Sequence, residues 1–131
     1  MKTMTPRDIN NHFWEAIVKG GIFPYYQPQF NHTTHKIIGA EALMRWKPPG
    51  FDMQSPTGFI PVLEESGLIH EADLFVFEQI CDFLRRSMDN GIPVVPISFN
   101  MSRYDYYQHD YVSEIEEIRK KYDIPVVMSL R

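Results

Sequence analysis

The chain is short of cysteine and glycine, and it has no long apolar run. Cys81 is the single cysteine among 131 residues, so no internal disulfide can form and a disulfide-stapled secreted scaffold is excluded. Cys81 stands at an apolar helix position and reads as a buried, inert thiol rather than a nucleophile. The lack of disulfides fits a cytoplasmic protein. The seven glycines form no glycine-rich phosphate loop, and Gly20-Gly21 reads as a helix stop. No apolar stretch is long enough to span a bilayer, and Met1 to Arg7 lacks the apolar centre of a signal peptide. Positive charge is also scarce. Thirteen Lys and Arg stand against seventeen Asp and Glu, for a net charge of −4, which argues against a sequence-independent grip on a nucleic acid polymer. The histidines show no metal-ligand spacing. His32 and His35 fall in a turn, and His70 and His109 fall near helix starts, so all five histidines read as solvated surface. No Ser or Cys lies in a nucleophile motif.

What is present suits one packed domain. Hydrophobic residues make up 44% of the chain and aromatics 14%, and this length can enclose a core. Thr5-Pro6-Arg7-Asp8 is a helix start, with Thr5 as cap and Pro6 at the first position. Ile9, Phe13 and Ile17 give that helix an apolar stripe. Phe23 to Phe30 reads as an irregular or edge strand, since it contains Pro24 and Pro28. Asn31 to Lys36 is a polar turn leading into a second strand, so the two form an antiparallel hairpin. Ser55 to Ile69 reads as a loop with one short helix. Glu71 to Met88 is the clearest helix, with Leu74, Phe77, Cys81, Leu84 and Met88 recurring at helical steps. Glu71 and Asp73 favour its positive end, and Asn90-Gly91 stops it. Val94 to Asn100 reads as a strand. Tyr111 to Tyr122 reads as a helix carrying Val112, Ile115, Ile118 and Tyr122 on one side, with Arg119-Lys120-Lys121 serving its dipole. Val126 to Arg131 begins another strand. Strands alternating with helices predict a parallel sheet with crossover helices, either open or a barrel.

The most informative stretch is Gly39-Ala40-Glu41-Ala42-Leu43-Met44-Arg45-Trp46. In a strand Glu41, Leu43 and Arg45 share one face, and Ala40, Ala42, Met44 and Trp46 share the other. A carboxylate and a guanidinium on one face of an apolar strand read either as a site for a cation beside an anion or as a Glu–Arg pair in solvent. Asn100 falls at the C-terminal end of its strand, where α/β folds open their ligand mouth. It reads either as a hard oxygen donor, suited with Glu41 to Mg²⁺ or Mn²⁺, or as a turn or cap residue.

These blocks resemble the EAL domain of bacterial cyclic di-GMP phosphodiesterases. Glu41-Ala42-Leu43 is the signature, and Tyr26-Gln27-Pro28 matches the family's first strand. Pro56, Phe59-Ile60-Pro61 and Glu64-Glu65-Ser66-Gly67-Leu68-Ile69 match the next block, and Phe99-Asn100-Met101-Ser102 matches a strand ending in Asn. The resemblance covers nearly the whole chain. It implies an α/β fold of the TIM (β/α)-barrel type with an antiparallel first strand. It implies Glu41 and Asn100 as metal ligands for Mg²⁺ or Mn²⁺, with Gln27, Leu43 and Arg45 lining the cyclic di-GMP site. The implied reaction is metal-dependent hydrolysis of cyclic di-GMP to pGpG.

The chain also departs from the family pattern. A barrel of this type takes roughly 250 residues, and the family's later carboxylates and catalytic Lys have no counterpart here. Gln29 replaces the apolar residue usual after Tyr-Gln-Pro. Residues 1–131 are therefore expected to be the N-terminal portion of a single EAL domain, a partial barrel inactive by itself. The unpaired strand edges predict a homodimer or a place in a longer chain. The alternative is a non-catalytic EAL module that binds nucleotide or protein through self-association.

Overall fold

The computed structural model describes residues 2–102 and 110–125, and the backbone of 128–130. Helix α1 (Pro6–Lys19) opens the chain. Thr5 Oγ1 accepts the Asp8 N–H at 3.1 Å, and the Asp8 carboxylate accepts the Thr5 N–H at 2.9 Å. This reciprocal cap satisfies two donors that the first turn leaves free. Gly20 ends the helix at φ +72°, where a side chain would be strained.

Strands β1 (Ile22–Phe30) and β2 (Ile37–Trp46) form the expected antiparallel hairpin. The Asn31 side chain organises the turn by accepting the N–H groups of Thr33 and Thr34, both at 2.9 Å. Helices α2 (Pro56–Ser66) and α3 (Ile69–Asp89) lead to β3 (Ile97–Phe99), α4 (Tyr111–Lys121) and β4 (Met128–Leu130). The sheet order is β1-β2-β3-β4, with β2, β3 and β4 parallel.

Alternation along β2 splits the sheet into two unlike faces. Ala40, Ala42, Met44 and Trp46 are buried on the helix side, and Ile97 and Phe99 join them from β3. Trp46 meets Phe13 of α1 and Phe59 of α2 edge-on, at ring separations of 6.5 and 5.5 Å. Glu41, Leu43 and Arg45 face the other way and are half-buried.

Several expectations change in detail. The short helix expected within Ser55 to Ile69 is α2, and at 11 residues it takes up most of that span. Pro56 fits its first turn, and burial of Phe59 and Leu63 holds it together despite Pro61 inside it. The strand read over 94–100 shrinks to Ile97–Phe99. Pro96 has no N–H for a ladder, and its carbonyl instead accepts the Ala40 N–H at 3.0 Å. In α4, Val112 is 62% exposed, and Tyr111 and Ile115 bury in its place. His70 is not on the surface. It is 4% exposed, stacks edge-on against Tyr111, and bonds to Glu114 through Nε2 at 3.0 Å. The packing of α4 over the start of α3 buries it. His12 is half-buried beside Phe51, and His32 and His35 are exposed. His109, Val126, Val127 and Arg131 lie outside the described residues. Cys81 is fully buried, as expected, and burial pushes its thiol up to about 12.

Candidate functional site

Sheet register builds the site. Gln27 lies opposite Glu41, Tyr25 opposite Leu43, and Phe23 opposite Arg45. Directly opposed residues of a ladder share a face, so these six side chains stand together on the side away from the helices. On the parallel side Glu41 aligns with Ser98. Asn100 follows two residues later, about 7 Å further toward the strand ends. It is exposed, just past the last ladder residue, Phe99.

A cleft of about 280 Å³ opens at these strand ends, lined by Leu43, Arg45, Asn100, Met101, Ser102, and Glu64 and Asp73 from the helices. Three of the five residues singled out from sequence thus meet in one cleft. Glu41 and Gln27 stand on the same sheet face, one step further from its mouth, and are not part of the lining. The Arg45 guanidinium donates to the Met44 carbonyl at 3.1 Å and lies 5.6 Å from the Tyr25 ring. No pairing of Arg45 with Glu41 occurs among the described ion pairs. The plain salt-bridge reading of that pair therefore does not hold.

The sequence reading missed the cleft's second wall. Asp73 is 2% exposed, and its carboxylate accepts the Ser102 N–H at 2.9 Å. The Ser102 hydroxyl donates to Glu64 at 2.6 Å. Burial is the main force raising the Asp73 pKa to about 7, helped by the nearby Glu64 carboxylate and opposed by the Ser102 hydrogen bond. A sequence signal for this was present. Asp73 sits four residues after Ile69 and four before Phe77, on the buried stripe of α3. Its place in the first turn had suggested only a dipole contact. Among the described residues, no group of three or more His, Cys, Asp or Glu could hold a metal ion.

Comparison with known proteins identifies the family. The EAL domain family model matches residues 10–130. The signalling protein YkoW of Bacillus subtilis is 32% identical over 111 residues, covering 85% of this chain and 14% of that protein. PdeG of Escherichia coli, described as a probable cyclic di-GMP phosphodiesterase, is 44% identical over 68 residues, covering 52% of this chain and 13% of that protein. Among solved structures, the PaMucR phosphodiesterase in complex with cyclic di-GMP superposes with a TM-score of 0.83 at 24% identity. That match covers 93% of this chain and 50% of the PaMucR chain, so the chain spans at most about half of these relatives. The antiparallel first strand, the parallel strands that follow and the match over residues 10–130 lead to one conclusion: the chain belongs to the EAL domain family, whose members include cyclic di-GMP phosphodiesterases.

Proposed function

We propose that residues 1–131 form the N-terminal portion of an EAL-type cyclic di-GMP phosphodiesterase domain. In this reading they grip the dinucleotide but do not hydrolyse it by themselves. The observation that carries the reading is the register setting Gln27 beside Glu41, and Glu41 beside Ser98, with Arg45 on the same face and in no ion pair with a carboxylate among the described residues.

Each side chain has a chemical task in this reading. Arg45 offers a planar fork of N–H donors matched to phosphate oxygens. Gln27 can both donate to and accept from a guanine edge. Leu43 supplies an apolar patch beneath the ribose or base. Glu41 on β2 and Asn100 just past β3 are hard oxygen donors, and this donor chemistry would suit Mg²⁺ or Mn²⁺. When bound, such an ion supplies Lewis-acid stabilisation of the phosphoryl oxygens and activation of water. Glu41 and Asn100 would hold one such ion at most, and a second ion would call for carboxylates beyond Glu41.

The test is incubation of the purified chain with cyclic di-GMP and Mg²⁺ or Mn²⁺, beside calorimetric titration. Binding without turnover is expected, weakened about tenfold or more by Arg45→Ala through loss of a charged hydrogen bond. Turnover to pGpG by the wild-type chain would refute the inactive reading, and absence of heat would refute the binding one.

A second reading is a non-catalytic module that acts by self-association. It is favoured by the exposed apolar side chains Phe30, Ile37 and Ile38 at one end of the hairpin, each about half exposed, and by the open edge of β1. Sedimentation equilibrium decides it. A dimer dissociating in the micromolar range supports self-association, and a monomer at all concentrations up to millimolar removes it.

A further inference from the structure

The segment leaving β3 is fixed at both ends, with two residues between: Met101, half-buried against the core, and Asn100, which is exposed. Phe99 is held in the ladder, paired with Ala42 and Leu130. Ser102 is held by two helices at once: its N–H bonds to Asp73 of α3 at 2.9 Å, and its hydroxyl bonds to Glu64 of α2 at 2.6 Å. Asn100 and Met101 are the residues bridging these anchors, and both line the cleft. Asp73 is nearly sealed from solvent, whereas Asn100 is exposed.

We propose that Asp73 and Glu64 are positioning residues that set Asn100 by clamping Ser102. The inference rests on the reading of Asn100 as a divalent-metal ligand, and it adds what holds that ligand in place. The geometry favours a clamp over plain packing. A backbone N–H and a side-chain hydroxyl of one residue engage carboxylates from two different helices, which fixes Ser102 in rotation as well as position. An exposed Asn past the end of a three-residue strand has no other described anchor, since no hydrogen bond of its own is among the described ones. Outer partners that orient ligands are worth tenfold to a hundredfold in metal affinity where this has been measured. The carboxyl of Asp73 can accept from Ser102 in either protonation state, so the clamp does not require a bare buried charge.

The experiment follows the Asn100 side-chain amide by ¹⁵N NMR in the full chain, with and without Mn²⁺, and measures Mn²⁺ affinity by electron spin resonance. Asp73→Ala and Ser102→Ala are expected to displace the Asn100 amide signal in metal-free protein and to weaken Mn²⁺ binding roughly tenfold. Asp73→Asn keeps an acceptor for the Ser102 N–H and is expected to restore both readouts to within about twofold. If Asp73→Ala does not fold, Ser102→Ala alone decides, because it removes the Glu64 bond and leaves the backbone bond in place. An unchanged Asn100 signal in the folded variants would overturn the clamp. A wild-type chain that fails to bind Mn²⁺ would overturn the metal reading of Asn100. The metal-free amide signal would then still decide whether the clamp exists.

Discussion

Asp73 is where burial and charge compete most visibly. Its folded pKa of about 7 stands above the ordinary 3.8, so the folded chain holds this proton more tightly than the unfolded chain does. The resulting stability is fully present below pH 4 and is lost as pH rises through 7. Three pKa units correspond to ~4 kcal/mol, an order of magnitude for a group this deeply buried. Asp73→Asn cannot titrate, so the difference in unfolding free energy between wild type and this variant isolates the effect. Urea denaturation across pH 4 to 8 should show the wild type losing ground to the variant, most steeply between pH 5 and 7. A wild type that gains on the variant as pH rises would contradict the assignment. At this scale the sequence was only partly legible. Alternation alone placed Glu41, Leu43 and Arg45 on one face. Asp73 and His70 were misread because their burial comes from segments distant in sequence: Ser102 reaches back 29 residues, and Glu114 reaches back 44.

Among the elements, the strands and helices with one strong period were readable, and those interrupted by proline were not. β2 shows strict alternation, and its ladder partners follow from it. The α3 pattern gave the helix, but its buried stripe is centred on Val76, Ile80 and Leu84, with Leu74 and Met88 only half-buried. Pro61 masked the full extent of α2, because proline is a sound first-turn residue but usually ends a helix further in. Pro96 did the reverse by shortening β3. Gly39 shows why the hairpin must approach the 94–96 segment closely: a Cβ there would lie 3.3 Å from the Pro96 carbonyl oxygen. Trp46 ties α1, β2 and α2 together from a fully buried position. Trp46→Ala should therefore cost about 3–5 kcal/mol, read as a fall in the urea midpoint. Val18→Ala, at a position 83% exposed, should stay within about 0.5 kcal/mol. Equal effects from the two would contradict the core described here.

For the molecule as a whole, the sheet separates the core from the candidate site. Its helix-covered face holds the aromatic core, and its other face holds the polar groups that define the candidate site. That division, and the antiparallel start of the sheet, were legible in the sequence because both depend on local period and turn chemistry. The cleft was not, because its second wall depends on how α2 and α3 pack against the strand ends. Among the described residues, no helix is long and apolar enough to cross a membrane. The central claim is that the face bearing Gln27, Leu43 and Arg45 grips cyclic di-GMP. The most direct measurement is a ¹H–¹⁵N NMR titration of the chain with cyclic di-GMP in the presence of Mg²⁺. Saturable shifts are expected at Gln27, Leu43, Arg45 and Asn100, and their loss is expected in Arg45→Ala. Shifts centred elsewhere, or none at millimolar ligand, would contradict it.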